Sequence, residues 1–286
     1  MVANGDLPFL KKIYDLGAWG DFDQLVFHAS GVPRSPDTDE ETYWSYLQTL
    51  KDIRKALRLF GKKELWMSEF YAPTAPNTSV SNNERVAAED IVLMVGLAIA
   101  ADVRGMMYYC LDDFDRQDHI VTPEEIGEPV QRENYFGLLR RDWTPKAGLW
   151  AYANCAWLFE GAKFLGDAEL SGKTEGLVFE GKRGRFALVW DRSEGYLRHE
   201  SPVPCPFHRE PWEKFWTHEA DLRLRVKKQS PGLMLVDCVG RKTELKATSN
   251  REATVKASGE PVFIFGAEWK INRGKYSKLF YPEDKE

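Results

Sequence analysis

A carboxylate closing an apolar run is the feature of this sequence best suited to chemistry. Residues 64–70 read Glu-Leu-Trp-Met-Ser-Glu-Phe, and Tyr71 follows. If this run is a buried parallel strand, Glu69 emerges at the carboxyl-terminal rim of its sheet, where parallel α/β folds meet their substrates. There it is either a group that acts on substrate or a rim acid held by a neighbouring Arg or Lys, and spacing alone favours the second. A further candidate is the stretch 112–143, over thirty residues long, which directly follows the apolar run 103–111. Loops of that length inside a compact domain are usually functional. Weaker constellations carry less. His199, Cys205, His208 and His218 fall in one irregular stretch, but their spacing fits no zinc pattern. The basic segment 223–228 alternates with apolar residues and reads as the solvated face of a strand. Trp190-Asp191 is a lone dipeptide without a repeat, and no Gly-rich phosphate loop is present.

The elements that position Glu69 alternate in type. Residues 22–28 predict a short buried strand, 64–70 a second and 103–111 a third. Between the first two, Thr38 and Glu41 form a capping box for a helix with an apolar stripe at Tyr43, Tyr46, Leu47, Leu50, Ile53, Leu57 and Phe60, stopped by Gly61. Ser81 and Glu84 form another box, opening a helix to about Ala101. Thr144-Pro145 starts a third, with Leu149, Tyr152, Ala156 and Phe159 on its stripe and Gly161 at its end. Strand, helix, strand, helix, strand, helix implies parallel βα units. Beyond about residue 165 the period changes. The runs 176–180, 186–190, 222–226, 233–238, 252–256 and 262–265 are short, often alternating, and separated by Gly, Pro, Asn and Ser, which predicts an antiparallel sandwich.

Composition sets the outer bounds. A chain of 286 residues suggests about two domains and can bury a core without disulfides or a metal. Its 43% hydrophobic and 29% charged residues are an ordinary globular balance, and 39 basic against 44 acidic side chains give no nucleic-acid footprint. The run 91–101 is too short to span a bilayer, and no signal peptide is visible at the first residues, so the compartment stays open. Cys110, Cys155, Cys205 and Cys238 lie far apart, with no C-x-x-C. Ten tryptophans and 13% aromatics suit a sugar site and a large core equally.

Several motifs, in order, resemble one family group. Residues 63–71 are similar to the seventh strand of clan A glycoside hydrolases, an apolar strand ending in Thr/Ser-Glu-Phe/Tyr. Asp21-Phe22-Asp23 through Phe27-His28 resembles the sixth strand of that barrel, and residues 105–113 the eighth. Phe136-Gly137-Leu138 followed by Asp142-Trp143-Thr144-Pro145-Lys146 resembles the segment before the last barrel helix. Asp237-Cys238-Val239-Gly240-Arg241 and residues 261–266 resemble the ending of an appended β-sandwich, nearest the xylosidase-like retaining members. The resemblance implies a retaining mechanism with two carboxylic acids, Glu69 standing at the nucleophile's position, ionised to attack the anomeric carbon. It implies a carbohydrate substrate and neither cofactor nor metal. His28 would orient near the sugar or the nucleophile, or be a satisfied rim histidine. Tyr71 and one of Tyr108 and Tyr109, which alternate in direction, would meet the sugar or pack in the core. Asp112 and Asp113 could bind sugar hydroxyls, with at least one a solvated loop start.

One departure qualifies the match. The family's acid/base is the Glu of an Asn-Glu pair ending the fourth strand, and the only such pair here, Asn83-Glu84, opens a helix. The expectation is therefore α/β plus all-β: a partial (β/α)8 TIM barrel, its last three βα units over 1–163, followed by a C-terminal antiparallel β-sandwich over 164–286. The chain would be a fragment of a glycoside hydrolase whose N-terminal barrel half is supplied in cis or in trans, with no nucleic-acid or membrane partner. The alternative is a non-catalytic carbohydrate-binding or scaffold protein derived from such a barrel.

Overall fold

The computed structural model describes residues 6–29, 35–38, 45–74, 83–113, 135–193, 212, 214, 216 and 218–283. Its first part holds three parallel strands: β1 (Gln24–His28), β2 (Glu64–Phe70) and β3 (Val103–Tyr108), in the order β1-β2-β3. Among the described residues no strand pairs with the outer edge of β1 or of β3. Four helices accompany them: α1 (Leu7–Asp15), α2 (Tyr46–Phe60), α3 (Glu84–Ala100) and α4 (Ala147–Leu158). The sequence pattern does not announce α1, because only Leu10 of its nine residues is buried and its apolar stripe is thin. Tyr14 of α1 stacks on Phe60 of α2 at 4.8 Å, fixing the helix beside its neighbour.

Helix starts differ from expectation for a common reason: the caps come from other residues. Thr38 does not cap α2. Ser45 does, accepting from the Gln48 N–H at 3.3 Å, while Glu41 and Tyr43 lie outside the described residues. The stripe Tyr46, Leu47, Leu50, Ile53 and Leu57 is buried as its spacing requires, and Gly61, at φ 114°, ends the helix. Asn83 caps α3 by accepting from the Val86 N–H at 2.9 Å; Ser81 lies outside the described residues. Asn83-Glu84 is thus a helix opening, as its context implies. Helix α4 begins at Ala147 and not at Thr144-Pro145. Asp142 accepts from both Thr144 N (3.0 Å) and Thr144 Oγ1 (2.6 Å), holding that stretch in a turn, and the N–H of Ala147 donates to Glu84 at 3.0 Å.

The second part is antiparallel. Strands β4 (Lys163–Ala168), β5 (Glu175–Gly181), β6 (Gly184–Trp190), β8 (Gly232–Val236), β9 (Lys242–Lys246), β11 (Val262–Phe265) and β12 (Ile271–Asn272) form one sheet in the order β12-β4-β5-β6-β11-β8-β9. Strands β7 (Glu219–Arg225) and β10 (Glu252–Ser258) pair separately, and a short helix α5 (Lys275–Phe280) follows. Alternation decides the two faces of the large sheet. Val178, Ala187, Val189, Leu233 and Ile264 meet Leu222, Leu224, Ala253, Val255 and Ala257 of the β7–β10 pair. Arg223 and Arg225 point away from that core and are exposed, as the alternating basic segment implies. Phe179, Phe186, Leu188, Trp190 and Phe263 face the opposite way and join the core beneath the helices.

Helix α3 explains why the core does not stop at residue 163. Nearly every residue of it is buried, the mark of a helix covered on all sides. The parallel sheet lies on one flank and the seven-stranded sheet on the other. Gly96 permits the second contact, since a Cβ there would fall 2.5 Å from Leu188 Cδ2. Phe159, just past α4, packs edge-on against Phe179, Phe186 and Phe263 at 5.0 to 5.6 Å. A buried charge cluster seals the same junction. Arg192 reaches Asp90 at 2.7 Å, Ser35 at 2.5 Å and the Gly259 carbonyl at 2.8 Å, and Arg85 joins Glu89 (3.0 Å) to Glu260. Among the described residues, no helix is long and apolar enough to cross a membrane.

Candidate active site

Glu69 owes its direction to a bulge. In β2, Leu65 and Met67 are buried beneath the helices, and strict alternation would send Glu69 after them. Instead Met67 pairs with Met106 while Phe70 pairs with Tyr108, so Ser68 and Glu69 together oppose the single residue Met107. The register against β1 slips at the same place, Phe27 pairing with Met67 and His28 with Glu69. The extra residue puts Phe70 into the core and turns Glu69 to the rim, which is what bulges beside functional groups commonly do. There the Glu69 carboxylate lies 3.6 Å from His28 Nδ1, with 29% and 32% of the two side chains exposed, so both are reachable from solvent. That separation is an electrostatic neighbourhood, too long for a hydrogen bond. The Ala29 N–H donates to the Glu69 carbonyl at 3.2 Å and holds the two strand exits together.

The aromatic residues divide between rim and core. Tyr108 turns inward: its hydroxyl accepts from Ala72 N at 3.2 Å and donates to Ala72 O at 3.3 Å, and its ring meets Phe70 at 5.2 Å. Burial raises its pKa well above the ordinary phenol range. Tyr109 is therefore the one that reaches the rim, and its peptide bond to Cys110 is cis. Tyr71 stacks on Phe136 at 4.2 Å, and Tyr109 meets the same ring edge-on at 6.0 Å. Phe136, buried between them, is legible in the sequence only as part of a motif, not as the floor of an aromatic surface.

The acidic pair separates in the same way. Asp112 is half-buried at the rim, its backbone bridged to Leu139. Asp113 is neither sugar ligand nor solvated loop start: it is buried, 2.6 Å from Lys146 Nζ, and accepts from Gly137 N at 2.9 Å. Burial pushes its carboxyl up and the Lys146 ammonium down, since both charges leave water. Gly137 is required here, because a Cβ would lie 2.2 Å from Asp113 N. His199, Cys205, His208 and residues 114–134 of the long loop lie outside the described residues. Among those described, no group of three or more His, Cys, Asp or Glu could hold a metal ion.

The fold is that of glycoside hydrolases of family 39, matched over most of this chain and about half of theirs. The structure of a family 39 glycoside hydrolase from the gut symbiont Bacteroides cellulosilyticus WH2 is similar with a TM-score of 0.64 at 17% identity, over 90% of this chain and 46% of that one. A monomeric β-xylosidase from Caulobacter crescentus CB15 gives 0.53 at 16% identity, over 94% and 60%. A family 39 enzyme from Xanthomonas axonopodis pv. citri gives 0.54 at 15%, over 92% and 58%. The chain thus spans about half the length of the structures it matches. No protein-family model matches the sequence, and no curated protein matches it.

Proposed function

We propose that this chain is the C-terminal part of a retaining glycoside hydrolase, with Glu69 as nucleophile. The observation that carries the reading is the bulge that presents Glu69, beside His28, at the carboxyl-terminal rim of the middle parallel strand. In this reading β1, β2 and β3 are the last three strands of a (β/α)8 barrel over residues 1–163. The two antiparallel sheets of 164–286 are an appended β-sandwich that supports the barrel. Glu69 attacks the anomeric carbon while an acid protonates the departing glycosidic oxygen, leaving a covalent glycosyl-enzyme. The same acid then takes a proton from water, which displaces Glu69 with net retention. His28, Tyr71, Tyr109 and Asp112 line the sugar site.

The acid/base belongs to a complementary N-terminal barrel half, joined in cis or supplied as a second chain. The edges of β1 and β3 that have no strand partner among the described residues, and the face bearing Met107, are where that half would close the barrel. The solved enzymes similar in fold include a β-xylosidase, which makes a xyloside the first substrate to try.

Expressed alone, the chain should be silent on aryl glycosides and self-associate; with the complementary half it should hydrolyse them. In that complete enzyme, Glu69→Gln should remove nearly all turnover while the melting temperature stays within a few degrees. A 2-fluoro aryl glycoside should label Glu69 in peptide mapping. Activity within tenfold of the parent, or labelling of another residue, would overturn the assignment.

A further inference from the structure

Lys146 stands one residue before α4, is 4% exposed, and spends its ammonium on three separate stretches of chain. Nζ donates to Asp113 Oδ1 at 2.6 Å, to Thr74 Oγ1 at 2.8 Å and to the Tyr135 carbonyl at 3.3 Å. An ammonium has three donors, and here each goes to a different segment. Thr74 lies five residues beyond Glu69, Asp113 follows Asp112 on the exit of β3, and Tyr135 precedes Phe136. The segments are also joined directly. Thr74 N donates to Tyr135 O at 3.2 Å, and Leu138 N to Cys110 O at 3.1 Å. Asp113 N donates to Leu139 O at 2.9 Å, and Lys146 N to Leu138 O at 3.0 Å. Tyr108 pins Ala72 from below.

Burying this ion pair costs desolvation on both sides, and two apolar side chains of similar volume would hold the fold about as well. What apolar residues cannot supply is a directional contact to three acceptors at once. We propose that Lys146 is a positioning residue: a buried cation that locks the chain exits of β2 and β3 together and so fixes the Tyr71–Phe136–Tyr109 surface beside Glu69. It touches no reacting atom. Its consequence for turnover rests on the glycosidase reading above, whereas the lock is a property of this chain alone.

The test removes both charges, so that no carboxylate is left buried without a partner: the double variant Lys146→Met, Asp113→Leu in the full chain. Cys110 is the reporter. Its carbonyl is held by Leu138, its thiol donates to the Asp112 carbonyl at 3.2 Å, and it is partly exposed, while Cys155 and Cys238 are buried. Maleimide labelling mapped by mass spectrometry should be at least tenfold faster at Cys110 in the variant, with Cys155 and Cys238 unchanged. With the complementary half present, KM for an aryl xyloside should rise at least tenfold and kcat change less than threefold. Cys110 labelling within twofold of the parent, or an equal rise at all three thiols, overturns the proposal. If neither the parent nor the variant turns over a glycoside, the labelling result still decides the lock, and only the glycosidase reading falls.

Discussion

Among the described residues, the two large sheets differ in how their faces are covered. Parallel sheets are ordinarily covered on both faces, whereas antiparallel ones often leave one face wet. Here the seven-stranded antiparallel sheet is coated on both sides, by the β7–β10 pair and by α3 with α4. The parallel sheet buries Leu25, Phe27, Leu65, Met67 and Phe70 under helices, yet its other face carries Val26, Trp66 lying across Gly105, and Met107, 52% exposed. The difference separates two duties. Stability concentrates where both faces are closed, and the candidate chemistry sits on the sheet whose second face is the less covered among the described residues.

Substitutions can break that contrast or sharpen it. The largest effect belongs to the closed sheet: Phe186→Ala should cost about 3–5 kcal/mol in urea unfolding, because the ring is fully buried against Phe159, Phe179 and Phe265. A loss as small as that of a surface change would mean the core is not shared as described. Next comes the pH response of the junction. Burial, with Glu260 adding to it, pushes Glu89 up to about 7 against the opposing pull of Arg192 and Arg85. A carboxyl raised above its unfolded value binds its proton more tightly when folded, so this contribution is full below about pH 4.5 and is lost as pH rises through about 7. The melting temperature should therefore fall across that window, and Glu89→Gln should flatten the fall; an unchanged slope would remove Glu89 from the account.

Gly96→Ala tests the contact between α3 and β6. Overpacking against Leu188 costs about 1–3 kcal/mol, and the better helix propensity of Ala returns about 1, leaving a net loss near 1 kcal/mol. Adding Leu188→Val should recover part of it, a non-additivity that independent sites would not show. Smallest of all is Met107→Ala on the less covered face of the parallel sheet, expected within about 0.5 kcal/mol in the chain alone. The same change in the completed barrel should cost several times more, and equal costs in the two settings would count against barrel closure over that face.

Local signals carry much of this into the sequence, and distant ones do not. The bounds of β2 and β11 match the runs 64–70 and 262–265, because β11 is buried along most of its length and β2 buries Leu65, Met67 and Phe70 within one apolar run. Strand β4 has no clean alternation and only two buried residues, and β9 has none, so neither stands out. The start of α4 escapes a local reading because its first N–H is taken by Glu84, 63 residues away. Glu69 is legible as a strand-end acid, but the bulge that aims it is a property of pairing with two neighbours, and strict period-two reading would turn it inward. Lys146 appears only as a motif letter and Asp113 only as a rim acid, since their partnership spans 33 residues.

The burial of α3 between two sheets bears on modularity. An accessory unit that can be exchanged between enzymes normally meets its host across a surface that is stable when uncovered. Here the seven-stranded sheet supplies one wall of a helix that also lines the parallel sheet, and Leu188 packs closely where Gly96 lacks a Cβ. Deleting residues beyond 163 would strip that wall away, and grafting a foreign sheet would require matching that contact. One core cluster spans both parts of this chain, and an expression boundary drawn between them would cut through a single interior.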